Sequence, residues 1–226
     1  MPDSSSTSGQ TVLTARLNNV LRAARAECAT LPNVPEIDLL LLNADFSSAA
    51  LSAQEMQAVL NYPAYWAFCW ASGQMLARYL LDNRELVRNK TVLDFGCGSG
   101  VVAIAAAKAG AARVIACDLD DDALLATQYN AALNDVQLEI AKNYFDVESR
   151  IDLIIAADIL YDRANLIWPS RFLQRAPQVL IADSRIRNFA EPGYKQVAEL
   201  VGSTWPDLDE FDEFRVVKFY CGGKEN

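Results

Sequence analysis

The sequence predicts an α/β fold: a seven-stranded, mostly parallel sheet with helices on both faces, preceded by an N-terminal extension of helix and strand. Three observations lead there. From Thr91 onward, short apolar runs alternate with helical patterns, as in a parallel sheet covered on both faces. The stretch Val92-Leu93-Asp94-Phe95-Gly96-Cys97-Gly98-Ser99-Gly100 reads as a buried strand running straight into three alternate glycines and an Ala-rich helix. An acid, Asp118, ends the next strand about 20 residues past the glycines, where it can accept both hydroxyls of a ribose.

The elements follow in chain order. Residues 1–10 are Ser-rich and polar and are expected to be disordered, leaving 11–226 as one domain with 11–61 as the extension and 62–226 as the core. Leu13, Leu17, Val20, Leu21, Ala24 and Cys28 recur at helical spacing, with Arg16, Arg22 and Arg25 on the other faces. A Pro-bounded strand, Ile37 to Leu42, comes next. Ser52 with Glu55 has the pattern of a capping box opening a helix to about Leu60. This extension either packs against the sheet or serves as a lid or docking surface. In the core, strands are expected at Thr91–Phe95, Arg113–Asp118, Val136–Ala141, Ile151–Ala157, Gln178–Ala182, near Thr204–Leu208, and at Phe214–Tyr220. Helices are expected at Val101–Ala109, Asp122–Leu133, Ala164–Arg175 with a kink or break at Pro169, and Pro192–Val201 with Gly202 as terminator. The residues after the first, second, fourth and fifth strands should then face one cleft.

Composition narrows the chemistry. No apolar run approaches membrane-spanning length and no signal peptide is seen, so a cytoplasmic protein without membrane attachment is expected. The five cysteines, Cys28, Cys69, Cys97, Cys117 and Cys221, are dispersed without a C-x-x-C pair, which fits reduced thiols and no metal site. Net charge is −9, from 20 basic and 29 acidic residues, which disfavours nucleic acid and favours a basic partner such as a lysine-bearing protein. There is no histidine, so imidazole-based hydrolysis and metal ligation are excluded.

Three alternate glycines let backbone approach a ligand closely, and the helix behind them offers free N–H groups and a positive dipole end. The dinucleotide fingerprint G-x-G-x-x-G does not fit, because Val101 stands where it wants Gly or Ala; a phosphate-cradling P-loop would need Gly-Lys-Ser/Thr. The D-x-G-x-G-x-G pattern, with Asp94 two residues ahead of Gly96, is similar to that of seven-strand S-adenosylmethionine-dependent methyltransferases. Asp118 supports a ribose without choosing the cofactor, and Asp120, Asp121 and Asp122 are expected to start the next helix. After the fourth strand, Asp158-Ile159-Leu160-Tyr161-Asp162 lacks the prolines of base-amine methylation. Asp158 and Tyr161 together suit an amine, the acid orienting it and the ring holding an aliphatic stem; a helix cap with a packed tyrosine is the competing reading.

Tyr65-Trp66-Ala67-Phe68-Cys69-Trp70-Ala71-Ser72-Gly73-Gln74, Pro35-Glu36-Ile37-Asp38-Leu39 and the D-x-x-Y of Asp158 to Tyr161 add a more specific likeness. Together they resemble the family 16 protein-lysine methyltransferases, over about Pro35 to Asp183, and within it the type directed at the β-subunit of electron-transfer flavoprotein. The resemblance implies a Rossmann-like catalytic core using S-adenosylmethionine and giving S-adenosylhomocysteine. It places Asp94, Gly96, Gly98 and Gly100 at the cofactor's methionine end, Asp118 on the ribose, Trp70 and Gly73 closing the pocket, and Asp158 and Tyr161 at the acceptor lysine. It leaves Trp66 undecided, and Asp146 is either a partner of the adenine amine or an ordinary surface acid. The chain departs from the family where W-P-G-G becomes Trp70-Ala71-Ser72-Gly73 and where G-D-P-G-R becomes Ala182-Asp183-Ser184-Arg185-Ile186. The expected function is lysine N-methylation of a protein; a small-molecule amine methyltransferase and a non-catalytic cofactor-binding module are the alternatives.

Overall fold

The computed structural model describes residues 4–46, 63–207 and 211–223. A hairpin, β1 (Ala26–Leu31) and β2 (Val34–Leu42), precedes the strands β3 (Thr91–Phe95), β4 (Arg113–Cys117), β5 (Glu139–Ala141), β6 (Leu153–Ala157), β7 (Gln178–Asp183), β8 (Tyr194–Val201) and β9 (Val216–Gly223). Among the described residues these last seven form one sheet in the order β5-β4-β3-β6-β7-β9-β8. The first five run parallel, and β9 is antiparallel to both its neighbours. Among the described residues the α-helices are α1 (Ser4–Leu17), α2 (Ala71–Asp82), α3 (Val101–Lys108), α4 (Asp121–Leu133) and α5 (Trp168–Arg175).

Strands β3, β6 and β7 are nearly continuous apolar runs because both their faces are covered. Val92, Leu153, Ile155, Leu180 and Ala182 turn toward α2 and α3, while Leu93, Ile154, Ala156, Val179 and Ile181 turn toward Phe172 of α5. Successive side chains thus feed two cores, as the two-residue repeat of a strand requires. Strand order reverses between β3 and β6, which opens a crevice at their carboxyl ends. Among the described residues no helix is long and apolar enough to cross a membrane.

Several expectations are corrected. The segment through Gln10 is the first half of α1 rather than disordered from Ser4 on; it docks where Gly9 lies buried against Tyr129 of α4 and Leu40 of β2. The same helix ends at Leu17, and Cys28 belongs to β1 instead, because the antiparallel pairing with β2 claims Ala26 to Leu31. Pro35 lies within β2 rather than bounding it. The extension packs mainly through the helical layer, with Leu39 and Leu41 in one core with α2 and α3. Pro192–Val201 is not a helix: Tyr194–Val201 is edge strand β8, paired with β9. Of the expected strand near Thr204–Leu208, Leu208 lies outside the described residues; residues 204–207 supply a single bridge, between Trp205 and Cys69, and β8 takes the seventh place in the sheet. Pro169 falls in the first turn of α5, where a missing N–H costs nothing, after a short 3₁₀ turn over Arg163–Ile167. The expected capping-box helix from Ser52 lies outside the described residues.

Candidate active site

The crevice between β3 and β6 widens into a cavity of about 810 Å³, inside the roughly 300–1,000 Å³ range of small-molecule sites. Its floor is the glycine turn. The N–H groups of Gly96 and Cys97 both donate to Cys117 O, at 2.8 and 3.1 Å, pinning the turn to the end of β4. Gly96, Gly98 and Gly100 have φ of 72°, 52° and 83°, left-handed values that side chains resist. A Cβ on Gly98 would meet nothing within 4 Å, so this position opens a cradle; one on Gly100 would strike Thr127 of α4.

Asp118 closes one side. Its Oδ2 accepts from Gly98 N at 3.0 Å and its Oδ1 from Asp120 N at 3.0 Å. Burial raises its pKa, against the pull of those N–H donors. Asp120 caps α4, accepting from Asp122 N at 2.8 Å. Asp158 stands opposite, with φ 48°, its Oδ1 accepting from Ser72 Oγ at 2.7 Å and from Ser184 Oγ and N at 2.9 and 3.1 Å. Asp158 Oδ2 accepts from Ser72 N at 3.2 Å, which also caps the first turn of α2. Asp183, fully buried below, accepts from the N–H groups of Leu160, Arg185 and Ile186 and so ties the loop after β6 to the loop after β7. Burial first, then the Asp158 charge, pushes its pKa up to about 6.

Aromatic rings make the remaining walls. Tyr65 meets Trp70 and Tyr161 edge-on, each at 5.8 Å between centroids. Phe95, Tyr144 and Trp168 form a second group, with Phe95 and Trp168 4.5 Å apart. Trp66 is buried, lines the cavity, and its indole N–H has no partner among the described residues. The charged side chains of the wall are Asp118, Asp120, Asp158 and Arg185, an acidic balance that favours cationic ligands. Burial holds the Cys117 thiol near 12, so it stays protonated at neutral pH.

Of the residues singled out in the sequence, the structure gathers Trp70, Gly96, Gly98, Asp118, Asp158 and Tyr161 around the cavity. The others stand behind it or beside it. Asp94 is 1% exposed and turns away, its Oδ2 accepting from Ala103 N at 2.9 Å in the first turn of α3; burial pushes its pKa up to about 7. Gly100 and Gly73 serve packing, the first against Thr127 and the second against Val101. Asp146 is exposed and outside the wall, where Asn143, Tyr144 and Phe145 stand instead. The sequence reading missed Ser72 and Ser184 as ligands of Asp158, and Trp168 and Arg185 as wall residues. Only the departures noted at Ser72 and Ser184 hinted at them.

Comparison with known proteins bears on the family and the fold. The family model described as ribosomal protein L11 methyltransferase (PrmA) matches residues 75–178. The Mus musculus electron transfer flavoprotein beta subunit lysine methyltransferase is 37% identical over 152 residues, 63% of this chain and 60% of that protein. The chain resembles the class I methyltransferases. It spans about three fifths of the length of the curated relatives it matches first. The ribosomal protein L11 methylase from Lactobacillus delbrueckii subsp. bulgaricus superposes with a TM-score of 0.51 at 26% identity, covering 68% of this chain and 79% of that one. A class I fold is shared too with magnesium protoporphyrin IX methyltransferase from Synechocystis PCC 6803, solved with bound SAM, at TM-score 0.51 and 18% identity, over 69% and 84% of the two chains.

Proposed function

We propose that this chain methylates the amine of lysine side chains in a protein, using S-adenosylmethionine. The observation that carries it is a single cavity with the glycine turn and Asp118 on one side and Asp158 with Tyr161 on the other. The residues fit the cofactor: Gly98 offers an open cradle, Asp118 an acceptor for ribose hydroxyls, the Trp66 indole a donor without a partner among the described residues, and the acidic wall a match for a sulfonium. When bound, the cofactor supplies an electrophilic methyl group. Asp158 then orients the acceptor nitrogen and Tyr161, 57% exposed at the opening, holds the aliphatic stem and faces the ammonium. Without histidine in the chain, the amine's proton leaves to a carboxylate or to solvent. The cavity aligns the nitrogen for in-line attack.

A protein acceptor is favoured by the rim. Tyr65, Leu119, Phe145 and Tyr161 line the cavity and are all exposed around it, an apolar collar suited to a macromolecular surface. The likeness to the mouse enzyme makes the β-subunit of electron-transfer flavoprotein the first acceptor to try. The test incubates the protein and methyl-labelled S-adenosylmethionine with cell extract, then treats separately with protease and nuclease. Protease-sensitive label in lysine supports the reading. Label confined to small molecules, or cofactor binding without any transfer, overturns it.

A further inference from the structure

The two loops that depart from the resembled family pattern meet at one carboxylate. Ser72 opens α2 and Ser184 follows β7, yet both hydroxyls and both backbone N–H groups converge on Asp158. A carboxylate offers about four lone-pair positions. Oδ1 receives three donors, Ser72 Oγ, Ser184 Oγ and Ser184 N, while Oδ2 receives only Ser72 N. Both serines are buried, Ser72 at 0% and Ser184 at 9% exposure, so water does not compete for these bonds. Asp158 itself sits at φ 48° with its N–H donating to Ala182 O at 3.0 Å, fixing the backbone that carries the group.

We infer that Ser72 and Ser184 are positioning residues: together they lock the Asp158 carboxylate so that Oδ2 alone keeps a lone pair for an incoming amine. This rests on the amine-methylation reading above. The consequence is directional. A single free acceptor site fixes one N–H of the acceptor and thereby the line along which the nitrogen lone pair points. Neither serine lines the cavity, whereas Asp158 does, so they act through Asp158. The loop after β6 is held from a second direction by Asp183, so the hydroxyls set the rotation of the Asp158 side chain more than the path of its backbone.

The test has two arms. In the first, Ser72→Ala, Ser184→Ala and the double variant are assayed for transfer of labelled methyl to extract protein at varied S-adenosylmethionine. The expected result is a fall in kcat of tenfold or more in the double variant, with KM for S-adenosylmethionine within twofold of the parent and activity restored toward the parent level in Ser184→Thr relative to Ser184→Ala. In the second, hydrogen–deuterium exchange is followed at the amides of residues 72 and 184, the two that donate to the Asp158 carboxylate, in protein without cofactor. The double variant should exchange there at least tenfold faster while β3 and β6 stay protected. Parent-like kcat in the double variant, or unchanged exchange at those amides, overturns the inference. If the parent protein itself transfers no methyl while exchange still accelerates, the lock on Asp158 stands and the amine-methylation reading is what fails.

Discussion

Gly98 N donates to Asp118 Oδ2 at 3.0 Å, so the acid at the tip of β4 holds the glycine turn with one lone pair and keeps others for the cavity. One side chain therefore shapes the cradle and faces the cavity. Asp118→Ala should weaken S-adenosylmethionine binding by tenfold or more, matching the roughly 1.5–3 kcal/mol of a hydrogen bond to a charged group. Titration calorimetry reads this directly, and an unchanged Kd would remove Asp118 from the ribose.

The glycines of that turn separate into two kinds. At Gly100 an added Cβ would lie 2.9 Å from Thr127 Oγ1 and 3.1 Å from Thr127 Cα, at φ 83°. Gly100→Ala should lower stability by about 2–3 kcal/mol, the cost of left-handed backbone plus a backbone clash. Gly98→Ala meets open space, so its stability loss should be limited to about 1–2 kcal/mol while cofactor affinity falls. Chemical denaturation beside calorimetry distinguishes the two; equal effects on both readouts would contradict this division.

Asp94 gives a pH signature. Its carboxyl is raised to about 7 by burial in the folded chain, against an ordinary 3.8, so the folded state holds the proton more tightly. Its contribution is complete below pH 4 and is lost as pH climbs through about 7; Asp183, raised to about 6, adds a loss of the same sign. Thermal stability should decline from pH 5 to pH 8. Asp94→Asn, which keeps an acceptor for Ala103 N–H, should flatten part of that decline. Parallel melting curves for parent and variant would refute the assignment.

The first ten residues offer a simple check on α1. Removing them deletes the buried approach of Gly9 to Tyr129 and shortens the helix that seats Leu13 and Leu17, both 0% exposed. The truncated protein should lose at least about 1 kcal/mol, roughly 2–4 °C in Tm. No change in Tm would restore the expectation of a disordered tail.

Much of the core was legible because its physics is local. The strands β3, β4, β6 and β7 are short apolar runs, and Asp120 announces α4 as a short acid before a helical pattern. Strand β8 was not legible: Lys195, Gln196, Ala198, Glu199 and Leu200 are good helix formers, and only pairing with β9 makes them extended. At the site, Gly98, Asp118 and Asp158 could be placed from strand ends alone. Whether Asp94 points at a ligand or at a helix start could not, since both readings put an acid at the same spacing. Ser72 and Ser184 are far apart in sequence, and no local pattern reveals that two hydroxyls share one carboxylate.

Asn130 of α4 gives the hairpin a role in the behaviour of the turn. Its amide nitrogen donates to Ser99 O at 2.8 Å and its Oδ1 accepts from Leu40 N at 2.7 Å, while Asn134 clasps both backbone groups of Asp38. Asn130 is fully buried, so the two bonds share one rigid plane with no water to relax them. The loop after β3 and strand β2 of the hairpin thus hang on one buried side chain, so moving Ser99 away from Asn130 strains the same amide that seats Leu40.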